Sequence, residues 1–127
     1  MKKDIYNRED VELLVDTFYD KVKANATIGY IFNDIAKVDW ENHLPLMYSF
    51  WASILLGEHS FSGNPMYKHI QLSKIAPMTD KEFSEWLKIF IQTTDELFEG
   101  EKAEEAKTRA SNIARLMLHK INTSQPN

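Results

Sequence analysis

Two histidines stand where they could do chemistry. His69 ends the run Phe61-Ser62-Gly63-Asn64-Pro65-Met66-Tyr67-Lys68-His69, and His43 lies upstream in a stretch of helical periodicity. Imidazole can move a proton or ligate a metal near neutral pH. Pro65 suits the first position of a helix, so it sets where a short helix bearing Met66, His69, Ile70 and Leu72 begins. Met66 and Ile70 make an apolar shelf beside His69, suited to a flat macrocycle. A neutral imidazole is the usual ligand where an iron held in such a ring keeps its other face open. Each histidine also has a plainer reading. His69 alone is more often structural or at the surface, and His43 alone is more often a core residue bonded to a carbonyl.

The set is more telling than its members. Tyr19, His43 and Trp86 fall on three separate helical stretches, each on or beside an apolar face. Buried Tyr and Trp usually satisfy their polar tips somewhere in a core. Together these three could aim donors into one cavity, opposite a haem iron held by His69. Other chemistries lack their signatures: there is no Gly-rich phosphate loop, no HExxH, no Glu-x-x-His pair and no nucleophile elbow. The chain has no cysteine, which excludes disulfides, thiolate ligands and cysteine nucleophiles.

Helices must position these residues. Asn7 can cap a first helix, with Glu9 and Asp10 at the favourable end of its dipole. Val11, Val15, Phe18 and Val22 form its stripe, with Leu14 and Tyr19 beside it, and the helix stops near Asn25. A bend at Gly29 leads to Tyr30-Ile31-Phe32. A second helix spans about 39–58, with Trp40, Leu44, Met47, Trp51, Ile54 and Leu55 at helical spacing and Gly57 as its stop. Pro45 falls in its early turns, where a missing amide is tolerated. Residues 59–64 form a loop, and Pro77 ends the short helix that follows. Thr79 and Glu82 read as a capping box for a helix carrying Phe83, Trp86, Leu87, Phe90, Ile91 and Leu97 up to Gly100. A last helix, from Glu101 to about Ile121, buries Ala103, Ala106, Ala110, Ile113 and Met117, and residues 122–127 are a frayed tail. No strand pattern appears, so the expected class is all-α, one domain over residues 1–127.

With 127 residues, 43% of them apolar, the chain is long enough for one sizeable core. Its net charge of −4 carries no basic block, which argues against nucleic acid as a partner. No signal core and no run of membrane-spanning length appears, so the expectation is a soluble cytoplasmic protein without a membrane partner.

Read together, Phe18-Tyr19, Ile31-Phe32, Trp40-xx-His43, Phe50-Trp51, Gly63-Asn64-Pro65-xxx-His69 and Glu85-Trp86-Leu87-Lys88-Ile89-Phe90 resemble the truncated haemoglobins, specifically their third group. The likeness spans about residues 10–120. The paired-glycine motifs of the other groups are missing, and Phe61 stands where the family often has tyrosine. The resemblance implies a two-over-two helical sandwich around haem b. It makes His69 the proximal iron ligand, Phe32 an aromatic packed on the haem, and Tyr19, His43 and Trp86 the distal polar residues. Met47 becomes their apolar neighbour, while Phe50, Met66 and Lys68 join Trp86 in the cofactor wall. Lys68 and His59 are the charge-based candidates for the propionates. The implied function is binding of oxygen or other diatomic ligands, served by an electron donor, with peroxide or nitric-oxide chemistry as extensions. The contrasting reading is a cofactor-free helical module that binds another protein.

Overall fold

A computed structural model of the chain describes residues 2–31, 40–57 and 79–124. These form four helices: α1 (Arg8–Ala24), α2 (Trp40–Leu56), α3 (Asp80–Leu97) and α4 (Glu101–Ser124). The described residues contain no strand. Helix α1 packs on α2, α3 packs on α4, and the two pairs meet through α1 against α3 and α2 against α4.

Local chemistry sets the helix ends. The Asn7 side chain accepts from the Asp10 amide at 3.0 Å and opens α1. Asp10 is itself buried, and its carboxylate takes the Tyr6 amide and the Lys3 ammonium, each at 2.9 Å. Asn25 closes α1 and organises the turn beyond it: its side-chain oxygen accepts from the Thr27 and Ile28 amides at 2.8 and 3.0 Å. Its amide donates to Glu85 on α3 at 3.0 Å. Gly57 follows α2 with φ 73°, the left-handed conformation that ends many helices. At α3 the Glu82 carboxylate reaches back to the Thr79 amide and hydroxyl, both at 2.7 Å.

The first amides of α4 are met from far along the chain. Asp4 accepts from Lys102 and Ala103, both at 2.9 Å, so the N-terminal segment caps the last helix. Gly100 makes room for this contact. It adopts φ 141°, and a Cβ there would sit 2.6 Å from the Asp4 carboxyl carbon.

The core follows the expected stripes. Val11, Leu14, Val15, Phe18, Tyr19 and Val22 of α1 are buried, as are Met47, Trp51 and Leu55 of α2. On α4 the small residues Ala103, Ala106, Ala110 and Ala114 line the buried face. Two expectations need adjusting. Pro45 does fall in the early turns of α2, but past the first turn, so its missing amide is not one of those free anyway and the carbonyl of exposed Glu41 loses its usual donor. Helix α4 runs on through Asn122, Thr123 and Ser124, because the first residue able to stop it is Pro126. Thr93 and Thr94 on α3 are fully buried despite their hydroxyls, which bond back to the carbonyls of Ile89 and Phe90 at 2.7 and 2.9 Å.

Candidate functional site

Helix α1 carries Tyr19 at the edge of its buried stripe, and α2 carries His43 one turn before Met47. The α1–α2 packing brings the two rings together, with centroids 5.2 Å apart and planes at 82°. Tyr19 is only 4% exposed. Burial pushes its phenol well above the ordinary value of 10.0, so the hydroxyl keeps its proton and remains a donor. His43 is half-buried, but its Nε2 atom is fully inside.

Trp86 comes from α3 and is buried. Phe18 links it to Tyr19. That ring stands edge-on to Tyr19 at 4.8 Å and to Trp86 at 5.6 Å. Behind them Phe90 stacks between Trp51 at 4.8 Å and Trp86 at 6.0 Å. Offset and edge-on aromatic pairs of this kind add about 0.5–1.5 kcal/mol each beyond their buried area. The polar-tipped rings thus rest on a stiff aromatic backing.

Met47 is buried on the same helix as His43, and Phe50 is half-buried with its ring edge-on to Trp51 at 5.4 Å. Phe32, His59, Met66, Lys68 and His69 lie outside the described residues, as does the side chain of Met117. The described part is therefore one wall of the expected site.

That wall has a definite chemistry. A phenol, an imidazole and an indole each offer an O–H or N–H; Tyr19 and Trp86 belong to the apolar core with Phe18, Met47, Trp51 and Phe90, and His43 adjoins it through Tyr19. Such a set suits a largely apolar slot in which a few donors meet one small polar ligand. It fits the distal side expected for a haem.

Trp40 was not singled out as a site residue by its sequence setting. It touches both Tyr19, at 5.3 Å, and His43, at 5.6 Å. The available signal was its spacing of three from His43, which places both on one face of a helix.

The sequence pattern of the bacterial-like globins matches residues 4–122. The chain is 32% identical over 117 residues to the group 3 truncated hemoglobin ctb of Campylobacter jejuni, covering 90% of each. It superposes on the crystal structure of a group III truncated hemoglobin from Campylobacter jejuni with a TM-score of 0.83 and 30% identity, covering all of both chains. The fold is thus the all-α globin fold in its truncated form, and the chain belongs to the bacterial-like globins as a group III truncated haemoglobin.

Proposed function

We propose that this globin carries haem b through His69 and binds oxygen and related diatomic ligands under the control of Tyr19, His43 and Trp86. When bound, haem would supply an iron site for a diatomic ligand, on which partial negative charge would develop. The chain contributes the surroundings. The Tyr19 hydroxyl, protonated because it is buried, donates toward that charge. His43 sits beside Tyr19 and can donate to the phenol oxygen, which aims the hydroxyl. Trp86 adds a second donor from α3, and Met47 keeps water from the ligand. Keeping the iron ferrous calls for an electron donor, an unidentified partner of the protein.

The observation that carries this reading is the meeting of Tyr19 and His43 from separate helices at 5.2 Å, with both polar tips on the inner side. The test is the visible spectrum of the reduced protein with and without carbon monoxide. An intense Soret band that shifts on adding the gas is expected. His69→Gly should lose haem or hold it only with added imidazole. A colourless chain that does not take up haem would overturn the reading and favour a cofactor-free helical module. Normal haem in His69→Gly together with loss in His43→Leu would reverse the two histidine roles.

A further inference from the structure

We propose that Trp40 is a positioning residue that holds Tyr19 and His43 in register, and that Lys23 seats Trp40 from outside; this rests on the distal roles proposed above. Two helical spacings meet here. Tyr19 and Lys23 are four apart on α1, and Trp40 and His43 are three apart on α2, so each pair shares a helix face. The faces oppose one another. The Trp40 ring lies 5.3 Å from Tyr19 at 58° and 5.6 Å from His43 at 85°. The Lys23 ammonium stands 4.9 Å above the same ring.

The consequence is steric and electrostatic. Tyr19 and His43 touch one another, and each also touches Trp40, so the three rings form a closed triangle. Moving either polar ring requires Trp40 to move as well. Trp40 is itself half-buried at the α1–α2 seam, and an outward turn of its ring would break both ring contacts. A cation held over an indole face resists that turn. Lys23 also reaches Asp20 at 3.6 Å, which keeps its stem along α1. Direct hydrogen bonding to the ligand is left to Tyr19, aimed by His43, and to Trp86; Trp40 acts through Tyr19 and His43.

The test uses the full chain loaded with haem in its ferrous carbon monoxide form, read by the infrared C–O stretch, which reports how distal donors are oriented. Ring-proton resonances of His43 in the same diamagnetic sample report its own order. Oxygen release is measured alongside. Trp40→Ala should broaden or split the C–O band, multiply the His43 resonances and speed oxygen release by about two- to tenfold, the size expected for losing ring contacts. Trp40→Phe should restore most of the wild-type pattern. Lys23→Met should move both readouts in the direction of Trp40→Ala, by less. Unchanged bands, resonances and release in Trp40→Ala, with clear changes in Tyr19→Phe, would overturn the proposal while leaving the distal site intact. Unchanged bands and release in both Tyr19→Phe and His43→Leu would overturn the distal site and this proposal with it. If Trp40→Ala does not fold, Trp40→Phe and Lys23→Met decide: wild-type behaviour in Lys23→Met overturns the seating role, and collapse of order in Trp40→Phe without loss of helix overturns simple ring packing as the cause.

Discussion

Tyr19 is a phenol inside an apolar cluster, and its charge state follows from that. Ionising it there would cost far more than in water, so it stays neutral across the range in which globins work. A neutral phenol is a donor, and Trp86 can only donate. In the distal roles proposed for them, both would favour a ligand that gains negative charge. Oxygen gains more than carbon monoxide. A hydrogen bond to a charged group is worth about 1.5–3 kcal/mol, or roughly ten- to hundredfold in release. Tyr19→Phe combined with Trp86→Phe should raise oxygen release by that order while changing carbon monoxide release much less. Single variants can be masked when a remaining donor swings in, because such networks are not additive. Stopped-flow release of both gases from the double variant checks this, and an unchanged ratio would leave the two side chains as packing alone.

Each helix is held at its ends as much as along its stripe, and α4 shows this most plainly. Among its free first-turn amides are those of Lys102 and Ala103, and both are met by Asp4, nearly a hundred residues earlier. Burial pushes the Asp4 carboxyl up, but the amides of Lys102, Ile5 and Ala103 outweigh it and hold the group below its ordinary value of 3.8. A carboxylate whose pKa is depressed on folding stabilises above its unfolded value and loses that contribution as pH falls through the folded one. The cap's contribution should therefore be whole at neutral pH, begin to decline as pH falls below the ordinary carboxyl value of 3.8, and be lost through the lower folded one. Asp4→Ala should cost about 1 kcal/mol, the usual worth of an N-cap. Thermal melts at pH 7 and pH 3 check both parts: the difference between wild type and Asp4→Ala should shrink in acid. Equal melting temperatures at pH 7 would mean that the cap contributes nothing. The α1–α2 pair is tied in a similar way. Tyr48 donates to Asp16, and Arg8 donates to Ser49 at 3.1 Å. Burial first, then the bond to Asp16, pushes the Tyr48 phenol up to about 12.

At the scale of the molecule, two helix pairs pack so that aromatic rings from α1, α2 and α3 share one seam. A cavity wide enough for haem, left empty, would deprive its lining of packing contacts. A cofactor that binds only the folded chain adds stability by mass action, about 2.7 kcal/mol at a hundred times its dissociation constant. The haem-free chain should melt well below the haem-loaded one, read by circular dichroism at equal concentration. Equal melting temperatures would argue that no such cavity exists.

Periodicity alone was enough to locate four helices, since apolar residues every three or four positions can be buried only by a helix. Asn7, Asn25, Gly57 and the Thr79–Glu82 pair marked their ends, because capping chemistry is local. Burial of Phe18, Tyr19, Met47, Trp51 and Trp86 was legible for the same reason. Which rings would meet was not, because pairing depends on how α1 crosses α2. Only the folded chain puts Trp40 between Tyr19 and His43 with Lys23 above it. Nothing in the sequence around Asp4 marks it as a helix cap. Its role as the cap of α4 is a contact across 98 residues, which no local pattern encodes. Thr93 and Thr94 carry hydroxyls on the buried face of α3. The helix itself satisfied their hydroxyls, and so the core could close over them.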